Sequence, residues 1–286
     1  MITITTQQML KTLREHLPEY LMEAGEVSFL VMSIGFLVTV FEHPNSPIHQ
    51  TIPDNEIRRI LFGVALGLVI TGLIYSSWGK QSGAHMNPAF TLAFYRLGKI
   101  KFWDAFFYIL FQFAGAITGI YLVAIVLGSV FTEPPINWVR TAPGSSGLIA
   151  AFTGELIIAF FTLFIVLNTI NNQKLNKYTG VIVGILNILY IIFEAPLSGA
   201  SMNPARSFAS TLLSRNWTGF WLYILAPTIG MLMAVELYQR LNNYAGSMCA
   251  KLNHHNQKRC IFCLSYYDKP VNLSDYQGSI DGLIKD

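Results

Sequence analysis

Asn87-Pro88-Ala89 and Asn203-Pro204-Ala205 decide the fold of this chain: the same tripeptide occurs twice, each time shortly after Ser-Gly-Ala and inside strongly apolar sequence. Proline suits the first turn of a helix, where its missing N–H is not needed, and asparagine is a good N-cap. Each tripeptide therefore predicts the start of a helix. The segments that follow, 89–97 and 205–213, are shorter than the roughly 20 residues that cross a membrane. We therefore expect two half-helices.

The composition of the chain indicates a membrane protein. Of its 286 residues, 52% are hydrophobic and 12% are charged, whereas about 25% are charged in an average soluble domain. The mean hydropathy is +0.44. Irregular backbone between membrane spans is tolerated only inside protein or along a water-filled cavity, so the two loops are expected to line a path. Six runs are apolar and long enough to span, namely 23–41, 61–78, 105–128, 148–170, 179–195 and 220–238.

The chain divides into two similar halves. Residues 19–128 and 148–240 each contain three spans, with one half-helix after the second span. An odd number of spans inverts the second copy, and inverted repeats of this kind place a site at the bilayer midplane. Residues 19–240 are therefore predicted to form one domain with an internal inverted repeat.

The two ends of the chain have a different character. Residues 1–18 end at Pro18 and carry charged side chains, which predicts a short amphipathic helix at the cytoplasmic membrane surface. Residues 241–286 form a polar cytoplasmic tail. Basic residues favour the cytoplasmic side of membrane proteins, and their distribution places both termini there. The predicted inner segments hold Lys11, Arg14, Lys80, Arg96, Lys99, Lys101, Lys174, Lys177 and Arg240, and the outer loops hold Arg58, Arg59, Arg140 and Arg215.

In their wider context the two motifs closely resemble those of the aquaporin, or major intrinsic protein, family. The stretches that carry the resemblance are Ser82-Gly83-Ala84-His85-Met86-Asn87-Pro88-Ala89 and Ser198-Gly199-Ala200-Ser201-Met202-Asn203-Pro204-Ala205-Arg206-Ser207. The resemblance covers residues 23–240. It implies an all-α membrane protein with six transmembrane helices and two re-entrant half-helices, assembled as a homotetramer with one pore per subunit. It also implies passive transport of water and small uncharged solutes, without ions or protons.

The resemblance assigns roles to several residues near the predicted midplane. Asn87 and Asn203 would each point an amide N–H into the lumen, where aligned helix dipoles oppose cations. Glu23 and Glu155 would brace the two re-entrant loops through backbone amides. His85 would line the pore and orient the carbonyl groups of the first loop, with proton relay as the alternative.

A second barrier is expected toward the outside at Arg206, which is permanently charged and offers several donors. By resemblance its companions are Ile191, Ala200 and either Leu66 or Gly67. These residues lack the histidine and phenylalanine that narrow water-selective members, so the constriction is predicted to be wider and more apolar. The run 193–203 resembles the plant nodulin-like branch and related bacterial channels, whereas Ser207 replaces the aspartate of glycerol facilitators.

Two further acids have no fixed role at this stage. Glu194 lies near the predicted outer mouth, either as a pore-facing carboxylate or as one bonded to nearby loop amides. Glu26 follows Glu23 by one helical turn and is expected at an exposed position near the membrane face.

The tail contains all three cysteines of the chain. Cys249, His254 or His255, Cys260 and Cys263 form Cys-x4-His and Cys-x2-Cys arrangements. Three thiolates and an imidazole suit tetrahedral zinc. Redox chemistry and thiols without a role are the alternatives.

No enzyme signature is present, and the basic residues form no nucleic-acid patch. The sequence predicts a multi-pass protein of the plasma or inner membrane, in contact with lipid, that conducts water and small neutral solutes. One alternative is a mainly water-selective channel. Another is a low-flux structural or sensory membrane protein whose tail responds to metal or redox state.

Overall fold

The computed structural model describes residues 6–242, 247 and 249–263, and this part of the chain is almost entirely helical. Its α-helices are α1 Thr6–Glu42, α2 Pro47–Thr51, α3 Asn55–Tyr75, α4 Ser77–Ser82, α5 Pro88–Arg96, α6 Phe102–Leu127, α7 Ser129–Thr132, α8 Gly147–Ile170, α9 Thr179–Phe193, α10 Ala195–Ser198, α11 Pro204–Ser214 and α12 Phe220–Leu241. Short 3₁₀ turns lie at Asn137–Val139 and Asn176–Tyr178.

Six helical segments within the described residues are long and apolar enough to cross a membrane. They contain α1, α3, α6, α8, α9 and α12, and α9 reaches the required length together with the 3₁₀ turn before it. Helices α5 and α11 have 9 and 11 residues and are too short to span. The predicted fold class, with six spans and two half-helices, is confirmed.

The half-helices begin where the repeated tripeptides predict. Asn87 is the N-cap of α5, and its side-chain oxygen accepts from the amide of Ala89 at 2.9 Å. Asn203 is the N-cap of α11 and accepts from Ala205 at 3.0 Å. In both helices proline occupies the first turn. Both helices thus begin at the asparagines that capping chemistry predicts.

Small residues allow the long helices to pack closely. Within the first repeat α1 packs on α6, where Gly115 lies against the backbone of Ala24. Within the second repeat α8 packs on α12, where Gly230 lies against the backbone of Leu156. The two repeats meet where α3 packs on α9. Gly72 does not serve such a close contact, because a Cβ added there would meet no neighbouring side chain or helix within 4 Å.

The N-terminal helix differs from the prediction. No separate surface helix ends at Pro18, because α1 runs without a break from Thr6 to Glu42 with Pro18 inside it. The ring of His16 and the hydroxyl of Tyr20 both hydrogen-bond to Asp104 Oδ1 at 2.6 Å. These bonds attach the helix to α6 on both sides of the proline. Residues 1–5 and 264–286 of the predicted terminal segments lie outside the described part of the chain.

Because the number of spans is even, α1 begins and α12 ends on the same face of the protein, which we call the terminal face. The first re-entrant loop, 83–87, enters from the terminal face. The second, 199–203, enters from the opposite face, where the connections 43–54 and 128–146 also lie. The tips of the two loops meet between the faces.

Candidate functional site

Asn87 and Asn203 lie at the centre of the protein, where the N-termini of α5 and α11 meet. Nδ2 of Asn87 donates to the carbonyl oxygen of Met202 at 2.7 Å, and Nδ2 of Asn203 donates to that of Met86 at 2.7 Å. Each amide oxygen caps its own helix. One N–H of each amide therefore takes part in no hydrogen bond within the described residues and is available to a guest molecule.

The two re-entrant loops share one backbone shape. Gly83 and Gly199 have φ values of +108° and +91°, in the left-handed region that glycine tolerates best. Met86 and Met202 both have a φ of +50°. A non-glycine residue in this region costs roughly 1–3 kcal/mol and persists only where its surroundings fix it. Bonds outside the loops are therefore required to hold these conformations.

Two buried carboxylates supply such bonds. Glu23 accepts from the backbone amides of residues 85 and 86 at 2.9 and 2.8 Å. Glu155 accepts from the amides of residues 201 and 202, both at 2.7 Å. Both side chains are fully buried. These are the contacts expected of residues that brace the loops.

A second acid lies behind each loop. Glu26 is fully buried, and the hydroxyl of Ser82 donates to it at 2.8 Å. The expectation that Glu26 is exposed was wrong, because a residue one turn after Glu23 shares its helix face and therefore points to the same loop. Glu194 accepts from the hydroxyl of Ser198 at 2.5 Å and packs against Gly154. Of the two alternatives for Glu194, the structure has a loop-bonded carboxylate, which interacts with the hydroxyl of Ser198 and with the backbone amide of Ala200.

A cavity of about 140 Å³ extends from Asn203 toward the opposite face. Four of the predicted filter residues line it, namely Leu66, Ile191, Ala200 and Arg206. Gly67 lies outside the lining and packs against Gly184 and Ile188, so of the two second-span alternatives Leu66 is the one that lies at the cavity. The sequence did not single out five apolar lining residues, because apolar positions on different faces of a span look alike: Leu30, Ile34, Val38, Phe62 and Ile70. It also did not single out Asn187, a polar side chain within the fifth span that lines the same cavity.

Arg206 brings a charged donor into this cavity. Its Nη1 is buried and has no hydrogen-bond partner within the described residues. The neighbouring Ser207 hydroxyl bonds to Thr141 at 2.9 Å and to Ser201 at 2.5 Å, which ties the second loop to the connection before α8. A guanidinium with a buried, unused donor can bind the oxygen of a small polar guest.

His85 lies on the other side of the central asparagines, toward the terminal face. Its Nδ1 bonds to the hydroxyl of Thr91 at 3.1 Å, and its Nε2 bonds to the carbonyl oxygen of Ala250 at 2.7 Å. The ring is stacked between Phe94 and Phe262, with centroids at 5.1 and 5.7 Å. Both nitrogens are thus engaged, one of them by the tail.

The described part of the tail brings four candidate ligands together. The thiols of Cys249, Cys260 and Cys263 and a ring nitrogen of His254 lie within 4.8 Å of one another. His255 is exposed and is not part of this group. Burial and hydrogen bonds from the neighbouring thiols raise the pKa of the Cys249 thiol. Hydrogen bonds to Cys260 and Cys263 raise the pKa of His254 to about 9.

Six spans, two half-helices that meet at paired asparagines and a cavity leading to them define a membrane channel. A family model described as Major intrinsic protein matches residues 7–238. The chain belongs to the major intrinsic protein family.

Named relatives agree with this placement. The chain is 31% identical over 209 residues to Aquaporin NIP1-1 of Arabidopsis thaliana, covering 72% of this chain and 70% of the relative. It is 32% identical over 191 residues to Nodulin-26 of Glycine max, covering 65% and 68%. The X-ray structure of the aquaglyceroporin from Plasmodium falciparum has the same fold, with a TM-score of 0.67, 22% identity and coverage of 79% of this chain and 97% of that one.

Membership of this family has direct consequences. The protein is a multi-pass membrane protein, and its family points to a channel for water and small solutes. Members of the family need no cofactor for transport.

Proposed function

We propose that this protein is a passive channel that conducts water and small uncharged solutes and excludes ions and protons. The observation that carries the proposal is the pair of reciprocal bonds from Asn87 to Met202 and from Asn203 to Met86. These bonds fix both amides at the junction of the half-helices and leave one N–H of each for a solute oxygen. A water molecule at this point can accept from both.

Exclusion of ions follows from the charges around this junction. Each helix N-terminus carries a partial positive charge of roughly half a unit, and here two such ends meet. Arg206 adds a full positive charge along the adjoining cavity. Cations are repelled, and a water held by both amides cannot at the same time pass a proton along a chain of hydrogen bonds.

The solute range is set by the side chains around Arg206. Leu66, Ile191 and Ala200 are aliphatic and present no polar group to a solute. Such a lining favours small neutral molecules beside water over a filter reserved for water. The mainly water-selective channel is the second candidate, favoured by Phe62, an aromatic ring in the same lining.

The surroundings of the protein follow from its surface. Exposed apolar side chains such as Leu68, Val126 and Ile149 suit contact with lipid or with other subunits. We infer a homotetramer in the plasma or inner membrane. The excess of basic residues near the terminal face supports a cytoplasmic location for both termini.

Proteoliposomes and stopped-flow light scattering test this proposal. The rates for water, glycerol, urea and ammonia are compared side by side with those of protein-free vesicles. A metal chelator is present, because the tail carries a candidate metal site. We expect accelerated flux of water and glycerol and no potassium leak. Rates equal to those of empty vesicles would support the low-flux structural alternative, and acceleration of water alone would support the water-selective one.

A further inference from the structure

The described tail, residues 247 and 249–263, packs on the terminal face against the first re-entrant loop. The amide of Leu252 donates to the carbonyl oxygen of Gly83 at 3.1 Å, and Ala250 accepts from the ring of His85. Ala250 and Leu252 are buried and belong to the same contiguous apolar core as the membrane helices. The tail is thus inserted into the channel domain.

A buried lysine fastens this contact. Lys251 is 1% exposed, and its Nζ donates to the carbonyl oxygens of Lys80 at 2.8 Å and Arg259 at 2.6 Å. One ammonium group therefore joins two segments of the tail, around residues 251 and 259, to α4, which directly precedes the first re-entrant loop. Burial lowers the pKa of this lysine, so its carbonyl partners are needed to stabilise the charge.

Two further contacts extend the tail across the terminal face. The guanidinium of Arg259 donates to the carbonyl oxygen of Glu15 in α1 at 3.0 Å. Ser247 bonds to the side chain of Asn171, just after α8, at 3.3 Å. The first loop leads from this face to Asn87, and the tail spans the space beside it from α1 to the end of α8. It therefore lies across the terminal face beside the first re-entrant loop.

The four ligand atoms lie slightly closer together than the ligands of a zinc site. The Cys249–Cys260 and Cys260–Cys263 sulfur pairs are 3.4 and 3.1 Å apart, and His254 Nε2 is 3.0 Å from Cys263 Sγ. Zinc–sulfur bonds of about 2.3 Å in a tetrahedron require sulfur–sulfur edges of about 3.8 Å. Small outward shifts of the side chains would admit the ion. A disulfide would use only two of the three sulfurs and would leave the third and the imidazole without a role.

The four ligands are spread along the tail in such a way that one bound ion would hold the tail in its folded shape. Cys249 precedes the buried segment 250–252, whereas Cys260 and Cys263 follow the turn that His254 begins. An ion bound by all four closes this loop on itself. Binding energy at such a site acts as folding energy for the segment that carries it.

We propose that Cys249, His254, Cys260 and Cys263 bind one zinc ion, and that the zinc-held tail closes the terminal-face entrance of the channel. Loss of the metal releases the tail and opens the entrance. The part of this inference that concerns closure rests on the proposed channel function, whereas zinc binding can be tested without it.

Elemental analysis of the purified full-length protein tests the site. We expect about one zinc per chain, as one tetrahedral centre requires, with little zinc in Cys260→Ser. The matched control is His255→Ala, which removes the adjacent exposed imidazole and should keep its zinc. Magnesium should not substitute, because thiolates are poor ligands for it. Protein without zinc after incubation with excess zinc and a thiol reductant would overturn the site.

Water permeability of proteoliposomes tests the closure. Zinc-loaded wild type should be slow, and a chelator should accelerate it severalfold. Cys260→Ser should be fast without chelator. Lys251→Met should also be fast while it retains zinc, because it removes the bonds to Lys80 and Arg259 and leaves the cluster intact. The chelator experiment on wild type does not depend on the folding of any variant.

The outcomes separate the two proposals. Fast flux in zinc-loaded wild type that chelation leaves unchanged would overturn closure and leave the channel function standing. A different result would be absence of flux in every form, including chelated wild type, together with about one zinc per chain in the untreated protein. This result would overturn the channel function and closure together, while the metal site would stand.

Discussion

Glu26 and Glu194 are structural counterparts in the two repeats. Each accepts a hydrogen bond from the serine that opens the re-entrant loop of its repeat, at 2.8 Å from Ser82 and 2.5 Å from Ser198. Glu26 belongs to the long helix α1, whereas Glu194 comes directly after α9. The same support is thus built from different parts of the chain, so sequence symmetry alone does not reveal it.

This pairing predicts that Glu194→Gln changes transport little. Glutamine keeps an oxygen that accepts from Ser198, and residue 194 is outside the lining of the cavity. The ratio of glycerol to water flux should stay as in wild type by stopped-flow measurement. Glu194→Ala should instead lower the free energy of unfolding by about 1 kcal/mol, because it removes one of the two carboxylates near the Ser198 hydroxyl and leaves only Glu155 to accept its hydrogen bond. A changed solute ratio in Glu194→Gln would favour the pore-facing alternative.

Asn203→Asp should weaken the exclusion of cations. The substitution places a negative charge where two helix N-termini supply positive potential, and it removes the donor to Met86. Potassium leak from loaded proteoliposomes is the measurement. Asn187→Asp is the matched control, because it adds the same charge to the lining of the same cavity away from the helix ends. Equal leak in both variants would contradict the role of the helix termini.

Ile191→His should slow glycerol more than water. An imidazole at this position is polar, and its ring reaches farther from the backbone than the branched chain of isoleucine, so it narrows the cavity beside Arg206. The two rates are measured in the same vesicles, so the ratio does not depend on the amount of protein. Ile191→Val is the control, since a smaller aliphatic side chain should slow neither solute. Equal slowing of both solutes by histidine would argue against a wide apolar filter.

Gly115→Ala should destabilise the protein. A Cβ at this position meets the backbone of Ala24 in α1, which cannot move aside as a flexible side chain can. Overpacking of this kind costs about 1–3 kcal/mol. Gly72→Ala tests the comparison, because open space surrounds Gly72 and alanine favours a helix. Thermal unfolding in detergent should rank the variants Gly72→Ala, wild type, Gly115→Ala in falling order of stability.

The sequence predicted the fold well because its strongest signals are local. Hydrophobic length marks a span without knowledge of its neighbours, and Asn-Pro marks a helix start through capping chemistry within three residues. Pro18 is the exception. A proline usually ends or bends a helix, but bonds from His16 and Tyr20 to Asp104 on α6 keep α1 continuous, and the sequence does not show that distant partner.

The candidate site was predicted less evenly. Asn87, Asn203 and Arg206 lie within the repeated motifs, where spacing identifies them. Leu66 could not be separated from Gly67, because the spacing to Asn87 leaves the position uncertain by one residue. That one residue decides which way the side chain points, since successive side chains differ by about 100° around a helix. The contact between His85 and Ala250 joins residues 165 positions apart, and no local pattern predicts it.

The crossed bonds between the asparagines and the methionine carbonyls have a mechanical consequence. Neither loop can shift alone, since each holds the tip of the other, and two buried carboxylates anchor both from behind. Bonds from both repeats therefore hold the centre of the channel in place. We therefore expect solute flux to be regulated at the two ends of the channel, where a segment can bind or dissociate without changing the bonds at the centre.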